Sequence, residues 1–537
     1  MKRHIRDSYY IVGEGTVHCD PKGKPVTDPK PGDVPEMRKF RFSRMGPKGA
    51  VVNRTIVEGL AQAMTAEGGG DSAGPAIPAG FTYLGQFIDH DLTMDKTAAA
   101  LGENVTINQL LQGRSPALDL DCMYGRGPDD ADDARFYSDG IRIKMGTTAA
   151  APFPPGDGGT NVPRDGFDLP RVGQGSTKLT RRAALIPDHR NDENLVVAQT
   201  HLAMIRFHNR VVNHIAPTTP SADLFKRARE LVVKHYQWMI KTDFLPRIVD
   251  PAIVQDVFTN GRKFFEKDAT PEHMPTMPIE FSVAAYRLGH SMIRGAYQWN
   301  RVFKSGGPGP VASLELLFTF SGTSGILSPD GNLSDRESGS FERLPTNWIA
   351  DFRRLYNFNE VGRADLTPPE GAPNVTKNID TQLVDPLKTL PFGSIGGSAA
   401  TPAIELNLAF RNLQRANMVE LASGQQMAAL LEVAPLTSAQ LSKGLPVALK
   451  DAATNTPLWY YILREAELNN GRLTGVGGRI AAETFHRAME GSEHSIVRDP
   501  AFRPTALVTN PGDRFNMTDL LLFAFEGRAD LLNPLGD

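Results

Sequence analysis

The chain has 537 residues, of which 40% are hydrophobic and 22% are charged, and its formal net charge is -3 at neutral pH. This balance excludes the strongly basic surface of a typical nucleic-acid-binding protein, and two cysteines are too few for a disulfide framework. Since no stretch approaches ~20 consecutive apolar residues, we expect no transmembrane helix.

The N-terminal segment starts with basic residues but lacks the apolar run of a Sec signal peptide. We therefore expect a cytoplasmic protein, or one exported by a route that needs no such signal. Residues 1–75 are predicted to form an N-terminal arm, and 76–537 one large domain. The stretches 67–80 and 146–166 are rich in Gly and Pro and are predicted to be loops, the second as an insertion within the domain.

Helical periodicity dominates the remaining sequence. Apolar residues at helical spacing predict helices over 84–93, 193–215, 222–245, 279–293, 406–421, 477–489 and 516–525. Alternating β patterns are scarce, and the main candidate strand is "ASLELLFTF" at 312–320. The fold is therefore predicted to be mainly α-helical, with very little β structure.

The stretch "GQFIDHDLT" at 85–93 places two carboxylates around one histidine in an apolar segment. Buried charges are costly unless they are paired or bound to a ligand. In a helix, Gln86 and His90 lie one turn apart on the same face, and Asp89 borders that face. Asp91 points well away from it. The two aspartates are therefore expected to serve different purposes.

Two simpler interpretations of this stretch remain open at this point. His90 can be a hydrogen-bonded core histidine, with the aspartates as caps or surface charges. Alternatively, His90 and Asp91 form the "HD" pair of a metal-dependent phosphohydrolase, with further ligands from His201, His208 and His214. No second pair of that type stands out, so interfacial histidines on an amphipathic helix are the better interpretation of those three residues.

Three further motifs combine polar residues with apolar helices. "HRNDEN" at 189–194 places Arg190 and Glu193 three residues apart, so both can face one side of a first helical turn. "YRLGHS" at 286–291 puts His290 on an apolar helix after a glycine. "RNLQRA" at 411–416 offers Asn412 and Arg415 with the same spacing of three. Taken together, these motifs favour a haem pocket.

In their order and rough spacing, these motifs resemble those of the animal haem peroxidases, within the peroxidase–cyclooxygenase superfamily. The similarity continues through "TGVGGRIAAETF" and "FRPTALVTNPGDRFNMTDLLLFA" and spans roughly residues 80–525. The resemblance implies that 76–537 is a haem peroxidase domain. The few cysteines and the missing signal peptide suggest a bacterial-type member.

The resemblance implies a role for each matching residue. His290 would be the proximal ligand of haem iron, and Asn412 the polar partner of its other ring nitrogen. His90 would be the distal histidine that takes a proton from hydrogen peroxide and returns it to the departing oxygen. Arg190 would stabilise negative charge as the O–O bond breaks, and Gln86 would order distal water and halide.

The same resemblance distinguishes the carboxylates. Asp89 and Glu193 match the residues that form esters with haem b in mammalian members, and Arg287 and Arg415 are expected among the other haem contacts. Asn194 stands where one mammalian member has a methionine that forms a sulfonium link. That third bond is not expected here, which weakens the case for efficient chloride oxidation.

A calcium site is also implied by the resemblance. Asp91 matches the family's calcium ligand next to the distal histidine. The further ligands would come from "SPALDLD": the Ser115 hydroxyl, the Ala117 carbonyl, Asp119 and Asp121. Carboxylates with neutral oxygens suit a hard cation such as calcium. An EF-hand does not fit this loop, because Met123 and Tyr124 occupy the later positions.

The resemblance thus implies a haem-dependent peroxidase that uses hydrogen peroxide, through a ferryl intermediate, to oxidise halides, thiocyanate or aromatic donors. A haem-dependent fatty-acid dioxygenase and a peroxidase-like adhesion domain without catalysis are the alternatives. Cyclooxygenases and related dioxygenases place a radical-forming tyrosine three residues before the proximal histidine. Arg287 occupies that position here, and Tyr286 precedes it. Peroxidase chemistry is therefore favoured.

Overall fold

The computed structural model describes residues 40–68, 74–97, 99–151, 162, 164–322, 342–390 and 400–537, together with the backbone of three short strands before residue 40. The predicted mainly α-helical fold is confirmed. The longer helices are α1 (Arg54–Met64), α2 (Gly80–Leu92), α3 (Leu195–Ile215), α4 (Leu224–Met239), α5 (Pro251–Asn260), α6 (Leu408–Met418), α7 (Leu458–Leu468), α8 (Gly475–Glu490) and α9 (Met517–Ala524).

Short helical segments connect them. The short α-helices are Asp121–Tyr124, Lys178–Arg182, Leu245–Ile248, Gly289–Met292, Leu314–Thr319, Gly424–Leu430, Ser438–Ser442 and Ala529–Leu532. Ile240–Phe244 and Glu280–Ala284 are π-helical, and His189–Asp192 and Ala285–Leu288 are among the 3₁₀ turns. None of the described helices is both long and apolar enough to cross a membrane.

The strands are short and form small separate sheets. They are β1 (Ser8–Tyr10), β2 (Thr16–Cys19), β3 (Pro25–Val26), β4 (Phe42–Ser43), β5 (Gly146–Thr147), β6 (Asp165–Asp168), β7 (Met277–Pro278), β8 (Ala296–Tyr297) and β9 (Ala312–Ser313). The first three form one antiparallel sheet, β4 pairs with β7 in parallel, and β5–β6 and β8–β9 are antiparallel pairs. The predicted loop 146–166 therefore begins and ends in a β-hairpin, while 152–161 lie outside the described residues.

Helix α3 lies at the centre of the hydrophobic core. Nearly all of its side chains are buried, as is typical of a helix surrounded by other elements. It packs against α2, α4 and α9, and α7 packs against α8. Near the N-terminus, α1 packs against α6 and β4 pairs with β7, which joins residues 42–64 to the main body. The division of the chain at residue 76 stays a prediction.

Two predicted elements differ from the structure. The strand predicted over 312–320 is wrong beyond Ser313: Leu314–Thr319 is helical, and the Ser313 hydroxyl caps it by accepting from Leu316 N at 3.3 Å. The continuous helix predicted over 279–293 is broken. A π-helical turn and a 3₁₀ turn meet at Ala284, whose φ of -131° and ψ of -71° are not helical.

Candidate functional site

A cavity separates two walls of the molecule. The distal wall consists of α2 and residues 189–194, and the proximal wall is the irregular segment 280–292. Both walls contribute polar and aromatic side chains, and the lining includes Phe81, Gln86, Asp89, His90, Glu193, Asn194, Phe244, Tyr286, Arg287, Gly289, His290, Leu314 and Phe318.

Close packing at its first residue positions helix α2. A Cβ on Gly80 would lie 2.3 Å from the Tyr356 ring, so only glycine fits there, and the Tyr356 hydroxyl donates to the Gly80 carbonyl at 3.0 Å. Further along the helix, Gln86 and His90 face the cavity. Asp91 is fully buried on another side, where it accepts from the Leu120 backbone N–H at 3.1 Å.

His90 is held by residues of the turn His189–Asp192. Its Nδ1 lies 2.8 Å from Asn191 Oδ1, and its backbone carbonyl accepts from Arg190 Nη2 at 2.9 Å. The other ring nitrogen, Nε2, lies 3.5 Å from Glu193 Oε1. Burial, reinforced by the Arg190 charge, lowers the pKa of His90 to about 3. The ring is therefore neutral around pH 7 and can accept a proton.

Arg190 belongs to a buried group of charges behind His90. It donates through Nε to Asp188 Oδ1 at 3.0 Å and through Nη2 to Oδ2 at 2.7 Å, and Arg114 pairs with the same carboxylate. All three side chains are at most 1% exposed. Burial alone would raise the pKa of Asp188, but Arg190 and Arg114 hold it well below its usual value. Two cations around one anion leave a net positive charge beside the distal wall.

Gln86, Glu193 and Asn194 form a second hydrogen-bonded group at the cavity. Gln86 Nε2 donates to Glu193 Oε1, and Asn194 Nδ2 donates to Gln86 Oε1 at 2.9 Å. Asn194 is also the N-cap of α3, because its Oδ1 accepts from Val197 N at 3.0 Å. Burial raises the pKa of Glu193 well above its usual value, which favours the uncharged carboxyl.

His290 faces the cavity from the proximal wall. Asn412 on α6 places its amide nitrogen 2.8 Å from His290 Nδ1, and its Oδ1 accepts from Arg287 Nη1 at 3.3 Å. A neutral histidine that binds a metal through Nε2 carries its ring proton on Nδ1, and that N–H needs a hydrogen-bond acceptor. Metal binding would therefore require the Asn412 amide to turn over, so that Oδ1 instead of Nδ2 faces Nδ1. Among the described residues, no hydrogen bond occupies Nε2. Burial lowers the pKa of His290 to about 3.

A smaller cavity shares Asp89, Ser282 and Arg287 with the main one. Arg415 lines it and forms an ion pair with Asp95. Asp89 accepts from the Thr93 hydroxyl at 3.1 Å, and burial raises its pKa. Of the predicted haem contacts, Asp89 and Arg287 therefore line both cavities, whereas Arg415 lines only the smaller one.

The residues predicted to bind calcium have other hydrogen-bond partners in the structure. Asp91 accepts from Leu120 N, whereas Asp119 Oδ1 accepts from Ser492 Oγ at 2.6 Å and the Ser115 hydroxyl faces Met274 Sδ at 3.9 Å. The Ala117 carbonyl accepts from Asp119 N at 3.0 Å, and Asp121 lies 3.5 Å from Arg229. Within the described ranges, no group of three or more His, Cys, Asp or Glu residues is arranged to hold a metal. The calcium site stays a prediction.

The phosphohydrolase alternative gains no support from the α3 histidines, none of which lines the main cavity. His201 is buried against the Phe87 ring, His208 hydrogen-bonds the Tyr124 hydroxyl at 3.0 Å, and His214 is exposed beside Phe523. They are interfacial histidines, as the helical pattern favoured.

Four polar residues of the site were not predicted from the sequence: Arg114, Asp188, Asn191 and Asp95. Asn191 and Asp188 lie in or next to "HRNDEN", so a charged turn before a long apolar helix was a usable signal. Arg114 precedes the loop read as a calcium site, and its partner Asp188 is 74 residues away. Nothing in the local pattern identifies such a pair.

Comparisons with known proteins show which proteins this chain is similar to. The sequence profile of the animal haem peroxidase family matches residues 97–328. A peroxidase-like protein of Margaritifera margaritifera is 29% identical over 193 residues, which cover 35% of this chain and 22% of that protein. The other curated relatives, including chorion peroxidase and myeloperoxidase, are matched over 14% to 27% of their length. The chain thus covers only a minor part of each.

Two solved structures share the fold over most of the chain. Peroxidase A of Dictyostelium discoideum superimposes with a TM-score of 0.52 at 14% identity, covering 89% of this chain and 90% of that one. A fatty acid alpha-dioxygenase of Arabidopsis thaliana gives 0.55 at 11% identity, covering 98% and 84%. At these identities the likeness concerns the fold alone.

Proposed function

Because residues 97–328 match the animal haem peroxidase family, we propose that this chain is a member of it, binds haem b and uses hydrogen peroxide to oxidise small donors. The donor classes are halides, thiocyanate and aromatic one-electron donors. One observation carries the proposal: His90 and His290 face the same cavity from opposite walls, each with an asparagine at its Nδ1.

The residues of the proximal wall fit a haem. His290 would hold the iron through Nε2, since Asn412 occupies the other ring nitrogen. Open space surrounds Gly289, where an added Cβ would meet no atom within 4 Å. Arg287 supplies a cation on the cavity wall that is suited to a carboxylate of the cofactor, and Arg415, paired with Asp95, lies in the adjoining smaller cavity. When bound, the haem would supply the two electrons that reduce the peroxide bond, one from the iron and one from the porphyrin.

The distal residues would manage protons and charge. Neutral His90 accepts a proton from hydrogen peroxide and delivers it to the oxygen that leaves as water. Arg190 remains charged and fixed by Asp188, so its guanidinium can offset negative charge that develops on oxygen. Gln86 lines the cavity between Glu193 and Asn194, where its amide can orient water or a small anion.

We also propose ester links to the haem through Asp89 and Glu193. Both carboxyls line the cavity, and burial raises the pKa of each. Burial disfavours the charged form of each carboxyl, and an ester, which is also uncharged, satisfies the same preference. After exposure to peroxide, acidified organic solvent should fail to extract most of the haem. Complete extraction of free haem would rule the links out in that preparation.

Calcium binding near Asp91 is the least supported part of this proposal. Burial and then repulsion from Asp121 raise the pKa of Asp91 to about 8, which a bound cation would reverse. However, Ser115 and Asp119 have other partners, so these side chains would have to turn. If the site exists, chelation should lower the melting temperature and added calcium should restore it. Unchanged melting after chelation and re-addition would argue against calcium.

A fatty-acid dioxygenase is a second candidate because of Tyr286. This tyrosine lines the cavity, stacks on Phe281 with 4.7 Å between ring centroids, and has no hydrogen-bond partner for its hydroxyl among the described residues. Against it, Tyr286 is four residues before His290 rather than the three typical of such enzymes. A peroxidase-like domain without catalysis is disfavoured by the complete set of His90, Arg190 and His290.

The experiment compares two assays on haem-loaded protein. Hydrogen peroxide with bromide or a phenolic donor should be consumed, whereas a polyunsaturated fatty acid with oxygen should not react. The variant His90→Ala should retain haem and slow the reaction with peroxide by about 10²-fold or more, since general acid–base catalysis contributes that much. Equal peroxide kinetics in both proteins would refute the role of His90. Oxygen uptake with the fatty acid alone would favour the dioxygenase.

A further inference from the structure

Two neighbouring residues of the turn His189–Asp192 hold His90 at two points. Arg190 Nη2 donates to the His90 backbone carbonyl at 2.9 Å, and Asn191 Oδ1 lies 2.8 Å from the ring Nδ1. Asn191 is completely buried. A buried amide costs free energy unless it is hydrogen-bonded, so the contact of Oδ1 with His90 offsets part of the cost of burying Asn191, whose amide nitrogen has no hydrogen-bond partner among the described residues. The backbone and the ring of His90 are therefore both fixed by this turn.

The atom that Asn191 presents determines where the ring proton lies. A carbonyl oxygen can only accept, so Nδ1 must carry the hydrogen. In a neutral imidazole the other nitrogen, Nε2, then has a free lone pair. His90 lines the cavity, and its Nε2 is on the side of Glu193, 3.5 Å from Oε1. An amide nitrogen at Nδ1 would instead put the proton on Nε2 and remove the base.

The turn that carries Asn191 is rigidly supported. Asp188 closes it, because its backbone carbonyl accepts from Asn191 N at 3.0 Å and its side chain accepts from Arg190 N at 3.1 Å. The Asp188 carboxylate is in turn held between two buried guanidinium groups, Arg190 and Arg114. Asn191 thus projects from a turn that is anchored by buried ion pairs.

We propose that Asn191 is a positioning residue that keeps His90 in the Nδ1–H tautomer, so that Nε2 is the proton acceptor facing the cavity. This inference rests on the proposed peroxidase function. In the step it serves, an O–H bond of hydrogen peroxide breaks and its proton moves to Nε2. The same proton then passes to the oxygen that leaves as water. Neither His90 nor Asn191 changes its redox state.

Two substitutions of Asn191 distinguish the effect of its hydrogen bond from the effect of its packing. Asn191→Leu has a similar volume but no acceptor, whereas Asn191→Asp keeps an oxygen at Nδ1. In haem-loaded protein, Asn191→Leu should slow the reaction with peroxide about 10-fold to 100-fold, part of the general acid–base contribution. Asn191→Asp should retain most of the rate. Oxidation of a phenolic donor by enzyme already treated with peroxide should not change in either variant.

Cyanide binding gives a readout that is independent of turnover. Hydrogen cyanide also loses its proton when the anion binds ferric haem, so Asn191→Leu should slow cyanide association by a similar factor. His201→Leu is the matched control, because His201 is a buried histidine outside the cavity. Its rates should equal those of the wild type. Wild-type peroxide and cyanide rates in Asn191→Leu would overturn the proposal.

The tautomer can be measured even if the protein proves not to be a peroxidase. In haem-free protein with ¹⁵N-labelled histidine, the His90 signals are identified by their loss in His90→Gln. They should show a protonated Nδ1 in the wild type, and this pattern should change in Asn191→Leu. A protonated Nε2 in the wild type would overturn the inference on its own. Failure of the wild type to react with peroxide would instead refute the proposed function.

Discussion

Asn194 connects the main helix of the core to the distal wall. Its side-chain oxygen caps α3 at Val197 N, and its amide nitrogen donates to Gln86 in the cavity. From the sequence, this residue was notable only because a methionine stands there in one mammalian relative. In this chain the residue at that position has a structural role, because the Asn194 side chain accepts from the Val197 backbone N–H, which would otherwise be unpaired.

The cap predicts how a methionine at position 194 would change the stability of the protein. Asn194→Met should lower the free energy of unfolding by about 1 kcal/mol, because a thioether cannot replace the capping oxygen. Asn194→Asp keeps that oxygen and should cost much less. Urea unfolding of both variants measures the difference. Equal stability of Asn194→Met and the wild type would show that this cap contributes nothing.

His201 and His208 are a natural pair for testing buried histidines. Both are fully buried on α3, but His201 has no hydrogen-bond partner among the described residues, whereas His208 contacts the Tyr124 hydroxyl and the Ile141 carbonyl at 2.9 Å. An unpaired buried polar group costs about 1–3 kcal/mol. His201→Leu should therefore raise the free energy of unfolding at pH 7, and His208→Leu should lower it.

Acidification should enlarge the effect at His201. Burial lowers its pKa to about 3 in the folded protein, while the unfolded chain takes up this proton near pH 6.5. The wild type therefore loses stability as the pH falls below 6.5, on the order of 2 kcal/mol from this group by pH 5. His201→Leu lacks that loss. Urea unfolding at pH 7 and pH 5 measures the difference in the free energy of unfolding between His201→Leu and the wild type. A difference that does not increase at pH 5 would contradict the lowered pKa of His201.

Helical geometry could predict the side of α2 on which each residue lies, but not the partners. One turn separates Gln86 from His90, so both face the cavity, while Asp91 points elsewhere. Asn191 is 101 residues away from His90, and only the tertiary structure shows which ring nitrogen it meets. Local spacing carries no information about such a contact.

At the scale of elements, α8 depends on a side chain from its neighbour. Glu465 on α7 accepts from Val476 N at 3.1 Å and Gly477 N at 3.0 Å, at the start of α8. Gly475 makes this approach possible, because an added Cβ would lie 2.2 Å from the Glu465 carboxylate. The glycines of "TGVGGRI" therefore allow one helix to cap the next.

Burial raises the pKa of Glu465 to about 7, against an unfolded value near 4.5. The folded state thus holds this proton more tightly, so its contribution to stability is present at low pH and is lost as the pH rises through 7. Glu465→Gln is uncharged throughout and should escape this loss. Between pH 5 and pH 8 it should gain roughly 2 kcal/mol relative to the wild type. Parallel stability curves for the two proteins would contradict this.

Element types were predictable where the periodicity was long and unbroken. The patterns over 193–215 and 516–525 correspond to α3 and α9 within two residues at each end. The pattern over 279–293 could not show the π-helical and 3₁₀ turns, because they change the backbone without changing which residues are apolar. At 312–320 the Ser313 cap and the spacing of Leu314, Leu317 and Phe318 indicated a helix.

At the scale of the molecule, motifs distant in sequence meet around one cavity. The distal residues come from α2 and the turn before α3, and the proximal residues from 280–292 and α6. Their order along the chain made the fold class predictable by resemblance, and the haem pocket stays a proposal. The buried charges behind the distal wall depend on the packing of the whole domain, which the motifs do not describe.

Haem binding should stabilise the whole domain, because a ligand that binds only the folded state shifts the folding equilibrium. At a free haem concentration of ~100 times the dissociation constant, the gain is about 2.7 kcal/mol. Thermal melting of haem-free and haem-loaded protein measures it. A melting temperature that does not change with added haem would mean that the cavity does not take this cofactor.

A haem titration of the haem-free protein, followed by the absorption spectrum of the complex, tests most directly whether His290 is the iron ligand. The wild type and the control His201→Leu should bind one haem per chain and give the same Soret band. His290→Ala should lose the spectrum of the histidine-ligated form, and added imidazole should restore it. An identical spectrum and affinity in His290→Ala, or no binding by the wild type, would contradict His290 as the iron ligand.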